Sequence, residues 1–323
     1  MTIDRDTAYC GDFAPLEDIQ ASLTAWFAEN ARDLPWRRTR DPYHILVSEV
    51  MLQQTQVERV LPKYRSFLEA FPTIEVLAAA PTAEVIRAWS GLGYNRRAVN
   101  MQRTARAVLE EHGGQFPRDV AALQRLPGIG PYTAGAIACF AFEQDVAFLD
   151  TNIRRVVRRL FVGAAGDGAA SEARLLAIAR AAIPPGRGWA WNQALMELGA
   201  LICTATAPAC WRCPIQGYCR DYAARRAADE QAFAVPVHAP QPTRRIAERR
   251  AAPYAGSRRF YRGRIVEVLR QAPPGTTVGL WALGQRLKEP FGVADLPWLR
   301  ALVEGLARDG LVLVEGEAVR LPE

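Results

Sequence analysis

Apolar residues recur at three- and four-residue spacings over most of the first two thirds of the chain, and the alternation typical of strands is nearly absent there. That period predicts amphipathic α-helices, separated by turns that contain Gly and Pro. The sequence from Pro15 to about Ala224 is therefore predicted to be an all-α block. Its predicted helices are Leu16–Glu29, Ile45–Leu52, Gln56–Phe71, Ala83–Gly91, Ala98–His112, Val120–Leu126, Tyr132–Phe142, Thr151–Phe161, Ala170–Ile183 and Trp191–Ile202.

The pattern changes after this block. Residues 229–257 are rich in Pro, Ala and Arg, which predicts a linker. Three helical segments follow, and two alternating runs, Leu311–Glu315 and Ala318–Leu321, then predict a hairpin. The sequence thus predicts a helical domain over 1–228, a linker over 229–257 and a small winged-helix-like domain over 258–323.

Length and charge narrow the classes of function. The 323 residues are enough for two domains, and the 40 basic residues exceed the 34 acidic ones, with Lys63 and Lys288 the only lysines. Because arginine forks onto phosphates and stacks on bases, this excess favours a polyanionic partner; a bias of the genome towards arginine codons is the alternative explanation. Apolar runs are too short to span a bilayer and no signal-peptide pattern is visible, so we expect a cytoplasmic protein without a membrane partner.

Four of the six cysteines fall within 203–219, with the spacing C-x6-C-x2-C-x5-C. Thiolates this close in sequence can converge on one centre, which is either a tetrahedral zinc ion or an iron–sulfur cluster. A zinc ribbon usually pairs two C-x2-C knuckles and only one is present here, so the spacing favours iron–sulfur. The candidate ligands are Cys203, Cys210, Cys213 and Cys219.

The segment Leu126-Pro127-Gly128-Ile129-Gly130 lies between two predicted helices. Its two glycines permit a tight turn and present backbone N–H groups at the start of the next helix, where an anion binds well. A dinucleotide-binding fingerprint is excluded because Thr133 occupies the third glycine position and no strand precedes the turn. The segment fits a helix-hairpin-helix element that grips a DNA phosphate, with an ordinary helix connection as the alternative.

Two carboxylates are candidates for catalysis. Glu49 is embedded in an apolar helix with Gln53 one turn later, and burial among apolar side chains favours the neutral form that a general acid needs. Asp150 opens an Arg-rich helix, so the helix N-terminus and nearby cations are expected to keep it ionised. A solvent-facing acid and a plain helix cap are the respective alternatives.

Several motifs of the chain together resemble one family. They are LPWR (34–37), SEVMLQQTQV (48–57), GLGY (91–94), LPGIGPYTAGAI (126–137), the Asp150/Asn152 pair, NQALMELGALIC (192–203) and the cysteine spacing. In this set the chain resembles the helix-hairpin-helix DNA glycosylases that carry a four-cysteine iron–sulfur loop, and among them the MutY-type A/G-specific adenine glycosylases. The resemblance runs from about Leu34 to Cys219 and implies a two-lobed all-α fold with a [4Fe-4S] cluster on the four cysteines.

The resemblance also implies roles for individual residues. Glu49 would protonate the flipped adenine at N7 and later activate water, while Asp150, oriented by Asn152, would stabilise or capture the cationic sugar. The residues implied to contact the base or the DNA are Gln53, Gln54, Thr55, Tyr94, Gly128 and Gly130.

Relatives that also cut the DNA strand have a lysine after the hairpin, which forms a Schiff base with the sugar. This chain has Tyr132 at that position of the active site, which implies a monofunctional enzyme that leaves an abasic site. The implied partner is double-stranded DNA with a mispaired or damaged base, most directly adenine opposite guanine or 8-oxoguanine. We expect a monomeric enzyme associated with the nucleoid.

The chain departs from the family at three points. Asn95 stands where the adenine glycosylases usually have a second tyrosine, and Thr151 stands where they usually have glycine. Their β-rich C-terminal domain, which reads 8-oxoguanine, is not recognisable in this sequence, and the predicted winged-helix-like segment stands in its place.

These departures leave two alternatives open. A glycosylase for thymine, uracil or hypoxanthine mispairs is the first, although Gln53 and Gln54 favour adenine because such relatives tend to carry arginines there. An iron–sulfur DNA-binding regulator without catalysis is the second. Glu49 and Asp150 argue against it, since DNA phosphates repel acids at a binding surface.

Overall fold

The computed structural model describes residues 16–163, 170–234 and 254–323, and for 229–234 it describes the backbone alone. Fifteen α-helices and three short strands make up this described part. The helices are α1 (Leu16–Asn30), α2 (Pro42–Leu52), α3 (Val57–Ala70), α4 (Ile74–Ala79), α5 (Thr82–Ala88), α6 (Arg96–His112), α7 (Val120–Arg125), α8 (Pro131–Phe140), α9 (Thr151–Val157), α10 (Glu172–Ala181), α11 (Gly188–Leu201), α12 (Arg220–Ala234), α13 (Arg258–Gln271), α14 (Leu280–Leu287) and α15 (Leu296–Arg308), and the strands are β1 (Val278–Gly279), β2 (Leu313–Glu315) and β3 (Ala318–Arg320).

Each predicted helix of the N-terminal block has a counterpart, which confirms the helical prediction. Two helices were not predicted. Helix α4 has only six residues, and Thr73 caps it by accepting a hydrogen bond from the N–H of Val76. Helix α12 carries no clear apolar stripe and runs to Ala234, so the predicted linker begins inside a helix, and 235–253 of that linker lie outside the described residues.

One predicted helix is interrupted. The segment predicted as a single helix over Thr151–Phe161 is α-helical only to Val157, and Arg158–Val162 forms a π-helical turn. The N–H of Gly163 closes this turn on the carbonyl of Arg158 at 2.9 Å. Gly163 has φ 82°, a left-handed conformation that favours glycine, and it ends the helix beside α12.

The chain folds into two compact units, each built from two stretches of sequence. Unit 1 combines Met1–Arg40 with Pro131–Gln241, and unit 2 combines Asp41–Gly130 with Pro242–Glu323. The compact units therefore follow spatial contacts, whereas the predicted boundaries follow the order of the sequence. Within the described ranges no helix is both long and apolar enough to cross a membrane.

Unit 1 is organised around α11, which packs against α1 and α9. Its core includes Trp191 and Leu195 of α11, Leu23 of α1 and Ile153 of α9, each at most 1% exposed. Glu197 lies on the same helix and is fully buried. The next sequence neighbours of this acid are apolar, so burial is sustained only because cations reach it from another part of the unit.

Those cations are Arg32 and Arg37. The Nε of Arg32 donates to Glu197 Oε1 at 2.9 Å, and Nη2 of Arg37 donates to Oε2 at 2.8 Å. Burial acts to raise the pKa of Glu197, but these hydrogen bonds outweigh it and lower the pKa to about 2. The network anchors the segment that follows α1 onto α11.

Unit 2 begins with helices α2 to α7. Helix α6 packs against α4, α5 and α2, and Trp89 is fully buried after α5. Gln102 of α6 is also buried, and its side-chain amide donates to the carbonyls of Leu77 and Ala80 at 3.1 and 2.7 Å. This polar contact satisfies the carbonyls at the end of the short helix α4.

The rest of unit 2 comes from the C-terminal part of the chain. Helices α13, α14 and α15 enclose a core with an antiparallel sheet of order β1-β3-β2, in which Val319 pairs with Val278 on one side and Val314 on the other. The same hydrophobic cluster contains Ile86 of α5 and Val99 of α6. Residues 258–323 thus share a core with the first part of unit 2.

Candidate active site and cysteine cluster

Glu49 is buried near the C-terminal end of helix α2. The helix starts at Pro42 because Asp41 caps it, accepting a hydrogen bond from the N–H of Tyr43 at 2.7 Å. Apolar residues surround Glu49 along the helix, and the acid is only 4% exposed. The alternative interpretation, an acid that faces solvent, is therefore wrong for Glu49.

Arg97 holds the end of helix α2. Its guanidinium lies at the start of α6 and donates to five carbonyl oxygens and to one hydroxyl. These acceptors lie in two turns, at 50–55 and at 92–93, and the planar guanidinium joins the two. The acceptors are the carbonyls of Val50 (2.7 Å), Met51 (3.1 Å), Gln53 (2.5 Å), Leu92 (3.1 Å) and Gly93 (3.2 Å) and the hydroxyl of Thr55 (3.4 Å). Burial lowers the pKa of Arg97 to about 10, which leaves it charged at neutral pH.

Gln54 and Tyr94 lie in the two turns that Arg97 joins. Both have left-handed backbone, with φ of 56° and 45°, which costs a non-glycine residue about 1–3 kcal/mol. Both side chains are exposed, Tyr94 to 46%. Two residues predicted to contact DNA are thus held outward in strained conformations by a half-buried arginine.

The predicted hairpin has the geometry of a tight turn. Gly128 has φ 79°, and a Cβ at this position would lie 2.7 Å from the Cβ of Asn100, so no other residue fits. The hydroxyl of Thr104 donates to the carbonyl of Pro127 at 2.6 Å and holds the turn on α6. Gly130 is exposed, and α8 starts at the next residue.

In unit 1, Asp150 caps helix α9. Its Oδ1 accepts a hydrogen bond from the N–H of Ile153 at 2.6 Å, and its Oδ2 accepts one from Nδ2 of Asn152 at 3.0 Å. Burial raises the pKa of Asp150, opposed by these donors and by the charge of Arg155. The cap and the nearby cation were predicted from the sequence, and both lower the pKa of Asp150. The burial of Asp150 was not predicted, and it raises the pKa.

Arg155 connects the Asp150–Asn152 pair to the cysteine loop. Its Nη2 donates to Oδ1 of Asn152 at 2.8 Å and to the carbonyl of Gly199 at 2.7 Å, and its Nε donates to the carbonyl of Cys203 at 2.7 Å. Gly199 is required here because a Cβ would lie 2.6 Å from the Cβ of Asn152. The orientation of Asn152, and through it of Asp150, therefore depends on α11 and on the first cysteine.

Tyr132 lies half-buried at the start of helix α8. Its ring meets that of Phe148 edge-on, with 5.5 Å between the centroids. Gly135 makes this possible, because a Cβ there would approach the Cβ of Phe148 to 2.9 Å. An aromatic side chain therefore occupies the position where the strand-cutting relatives have lysine.

The four cysteines of 203–219 lie in unit 1, close enough for the other three to affect the charge of Cys213. Burial, and then the neighbouring thiols, raise the pKa of Cys213 to about 12, while a backbone N–H from Ile215 opposes them. Burial likewise raises the pKa of Cys219, against N–H groups of Tyr222 and Asp221. Across the described part of the chain, no three His, Cys, Asp or Glu side chains have the convergence expected around a single metal ion.

The surroundings of these thiols fit an anionic iron–sulfur cluster. Nη1 of Arg159 lies 3.4 Å from Sγ of Cys203, and Arg225 pairs with Asp221 close to Cys210 and Cys219. Backbone N–H groups and arginines around thiolates are the donors that such a cluster uses to offset its charge. The donor set of Cys203, Cys210, Cys213 and Cys219 is therefore suitable for the predicted group.

The structure groups the predicted residues within each unit. Asp150 and Asn152 are hydrogen-bonded to each other in unit 1, which also holds Tyr132 and the cysteines. Unit 2 holds Glu49, with Gln53, Thr55 and Tyr94 gathered around Arg97, and the two hairpin glycines. Arg97 and Arg155 were not predicted as functional residues, because no local sequence pattern shows which distant carbonyls an arginine will bind.

Comparison with known proteins agrees with this architecture. A family model described as the HhH-GPD superfamily of base excision DNA repair proteins matches residues 47–181. A model of the iron–sulfur binding domain of endonuclease III matches residues 203–219, which confirms the iron–sulfur prediction over zinc.

Solved structures share the fold. A thermostable thymine-DNA glycosylase superposes with a TM-score of 0.61 at 30% identity, over 68% of this chain and 100% of that one. A trapped endonuclease III–DNA covalent intermediate gives a TM-score of 0.56 at 25% identity, over 66% of this chain and 99% of that one.

Sequence similarity is stronger to a curated relative. The adenine DNA glycosylase of Mycolicibacterium smegmatis is 43% identical over 256 residues, which cover 79% of this chain and 81% of the relative. The chain therefore belongs to the adenine DNA glycosylases, a family of DNA N-glycosylases within the HhH-GPD superfamily of base excision DNA repair proteins.

Proposed function

We propose that this enzyme excises adenine paired with guanine or 8-oxoguanine in double-stranded DNA and leaves an abasic site. The observation that carries the proposal is the Asp150 carboxylate, half-buried and fixed by Asn152 and the N-terminus of α9. Such a fixed anion suits the cationic sugar that forms when an N-glycosidic bond breaks. The choice of adenine rests on the relative at 43% identity, an adenine DNA glycosylase.

Glu49 is the proposed general acid. A carboxyl group that is 4% exposed in an apolar helix favours its neutral form, so it can deliver a proton to N7 of the flipped adenine. Protonation makes the base a leaving group, and the electrons of the N-glycosidic bond leave with it. The resulting Glu49 carboxylate then takes a proton from the water that attacks the sugar carbon, which regenerates the acid.

Asp150 is the proposed electrostatic partner of the sugar. Its carboxylate faces a developing positive charge in the transition state, and the hydrogen bond from Asn152 holds it in place without neutralising it. Arg155 acts on Asn152 and so positions the carboxylate indirectly. Removing the charge of Asp150 should cost far more in rate than in binding, because ground-state DNA carries no positive sugar.

Tyr132 supports a monofunctional reaction. Schiff-base formation requires an amine, and a phenol packed on Phe148 cannot provide it. We therefore propose that Tyr132 lines the sugar-binding part of the active site, and that the product is an intact strand with one abasic site.

Gln53, Gln54, Thr55 and Tyr94 are the proposed contacts to the mispair. Tyr94 is an exposed aromatic ring on a tight turn, which suits insertion into the base stack when the target nucleotide is extruded at a cost of a few kcal/mol. Gly128 and Gly130 are proposed to hold a DNA phosphate through backbone N–H groups. Exposure of both glycines is consistent with that role.

We propose that 258–323 form a winged-helix-like module, preceded by a glycosylase domain over 1–228 and a linker over 229–257, and that this module packs on the first part of unit 2. Three helices with a terminal hairpin and a short third strand support it. We further propose that the enzyme acts as a monomer on nucleoid DNA in the cytoplasm.

The cysteine loop would hold a [4Fe-4S] cluster through Cys203, Cys210, Cys213 and Cys219. When bound, the cluster supplies four iron–thiolate bonds that tie the loop together. Arg155 links Cys203 to Asn152, so a well-ordered loop helps to position Asn152 and the Asp150 carboxylate that it holds.

The test is base release from a panel of defined duplexes that carry A, T, U or hypoxanthine opposite G or 8-oxoguanine. We expect release of adenine alone, with no strand cleavage and no trapping of enzyme on DNA by borohydride. Release of thymine or uracil without adenine would replace the proposal with the mismatch alternative. No release from any duplex would favour the non-catalytic regulator.

A further inference from the structure

A groove of about 790 Å³ lies within unit 2 between the turns around Tyr94 and helix α13. Seven arginines and only two carboxylates line it, and four of the arginines belong to α13. Gln54, Thr55 and Tyr94 lie on the same groove. The C-terminal part of the chain therefore forms one wall of a basic groove whose other wall carries the proposed contacts to the mispair.

Helix α13 is fixed in this position by hydrogen bonds from Arg270. Nη2 of Arg270 donates to Oδ1 of Asn95 at 2.7 Å, and its Nε donates to the carbonyl of Ile86 at 2.9 Å. Asn95 is the residue that stands in place of the second tyrosine of the family. Leu269, the residue before Arg270, is buried in the shared core. Helix α13 is therefore held firmly as one wall of the groove.

Arg259 of α13 contacts Tyr94 directly. Its Nη1 donates to the Tyr94 hydroxyl at 2.7 Å, and its guanidinium carbon lies 5.3 Å from the centroid of the ring. Arg97 lies 5.6 Å from the same centroid. Two guanidinium groups thus restrain an aromatic side chain that is 46% exposed and in a left-handed conformation.

The charge of the groove is only partly balanced. Asp309 pairs with Arg96 and Arg262, and Glu267 pairs with Arg270. By contrast, Arg59, Arg259 and Arg264 donate to neutral oxygens, namely the carbonyl of Gly91, the hydroxyl of Tyr94 and the carbonyl of Arg286.

Two arginines of the C-terminal segment that lie outside the groove have carboxylate partners. Arg300 pairs with Glu317 at 2.7 Å and Arg320 pairs with Glu315 at 2.6 Å, both in the same C-terminal segment. Arg300 and Arg320 are therefore balanced by acids, whereas Arg259 and Arg264 on the groove donate to neutral oxygens.

We propose that this groove binds the sugar–phosphate backbone of the DNA beside the base pair at which Tyr94 inserts, with Arg259 and Arg264 as phosphate contacts and Arg259 also as a positioning residue for Tyr94. The proposal rests on the proposed function for the identity of the polymer. A polyanion is the partner that such a charge excess selects, and a guanidinium fork matches a phosphate in shape as well as charge. The C-terminal segment is then part of the DNA-binding surface.

The test compares R259A/R264A with R300A, which removes the same kind of side chain outside the groove. Fluorescence anisotropy on an undamaged duplex and on a duplex with an A·G mispair is measured at several KCl concentrations. Each lost phosphate contact should reduce the slope of log K against log[KCl] by about 0.9. We expect R259A/R264A to lower the slope by about 1–2 and to weaken binding about tenfold at 0.1 M KCl, and R300A to match the wild type.

Two further variants separate contact from fold. R264A alone removes a side chain that contacts the carbonyl of Arg286 and the Phe260 ring, and it leaves the contact between Arg259 and Tyr94 intact. It therefore tests the phosphate contact even if R259A/R264A melts at a lower temperature. R259K keeps the charge but loses the fork that holds the Tyr94 hydroxyl, so it should preserve the slope and lower the single-turnover rate of adenine release.

Wild-type affinity and slope in both R264A and R259A/R264A would overturn the inference, even if the wild type releases adenine normally. Failure of the wild type to release adenine would instead count against the proposed function, and the slopes on undamaged duplex would still decide whether the groove binds phosphates.

Discussion

Arg97 Nη1 donates a hydrogen bond to the carbonyl oxygen of Val50 at 2.7 Å, and so joins the start of helix α6 to the last turn of the helix that carries Glu49. The same guanidinium holds the turns of Gln53 and Gly93. One side chain thereby fixes the proposed general acid relative to the proposed wedge Tyr94, within a single unit.

Replacing Arg97 with lysine should break this arrangement while keeping the charge. An ammonium group cannot reach five carbonyls, and each of the four partly buried carbonyls that is left without a donor costs about 1–3 kcal/mol or less, depending on how far water replaces the donor. We expect R97K to lose about 2–4 kcal/mol of unfolding free energy in urea and at least tenfold in the single-turnover rate of adenine release. R65K, an exposed position on α3, is the matched control, and wild-type behaviour of R97K in both measurements would contradict the assignment.

Glu49→Gln and Asp150→Asn test the two proposed chemical roles. The amide of E49Q cannot deliver a proton, so we expect adenine release to fall by about 10²–10⁴-fold with duplex binding retained. D150N removes the anion but keeps the cap of α9, and should slow release by at least about 10²-fold. E69Q, an exposed acid on α3, serves as the control. Full activity of E49Q would remove Glu49 from the mechanism.

Gly199→Ala tests whether the packing of α11 positions Asn152 and, through it, the Asp150 carboxylate. The new Cβ would lie 2.6 Å from Asn152, so that residue must shift and Asp150 with it. We expect a loss of about 1–3 kcal/mol in stability and at least tenfold in release rate. G292A introduces a Cβ that meets nothing within 4 Å and should leave both unchanged. An active, stable G199A would show that α9 tolerates displacement.

Glu197 predicts a dependence of stability on acid pH. Its pKa is about 2 in the folded protein and near 4.5 in the unfolded chain, so its stabilisation is present above pH 4.5 and is lost as the pH falls towards 2. The shift corresponds to about 3 kcal/mol. E197Q should therefore be less stable than the wild type at pH 7, with the difference shrinking below pH 4.5.

Urea midpoints at pH 7, 5, 4 and 3 measure this difference. E172Q is the control, since Glu172 is an exposed acid on Arg154 and screening leaves little to lose. A difference between E197Q and the wild type that stays constant with pH would contradict the account.

The helices of the N-terminal block could be predicted because most carry an apolar stripe, while α2 and α8 are apolar on nearly all sides, and turn or capping residues mark their ends. Asp41, Asp119 and Asp150 cap the helices that follow them, and Gly113 ends α6 in a left-handed conformation. These signals are local. Helix α4 was missed because six residues are too few to show a period.

What the sequence could not provide is the partner of each long-range contact. Asn95 departs from the family pattern, and the structure gives it a partner that the sequence does not reveal: it accepts a hydrogen bond from Arg270, which is distant in sequence. Arg97 and Arg155 are two among many arginines, and only folding selects the carbonyls that they hold. Strand β1 pairs with β3 through two residues, too few to leave an alternating pattern.

The interleaved construction of unit 2 bears on how the protein is made. The N–H of Ala83 donates to the carbonyl of Pro322, and Ile86 and Val99 share their core with residues beyond 264. During translation, which proceeds at about 5–20 residues per second, α5 and α6 emerge well before the residues that cover them. Their apolar side chains therefore remain uncovered in the nascent chain, where chaperones can bind them, until the segment up to Pro322 has been synthesised.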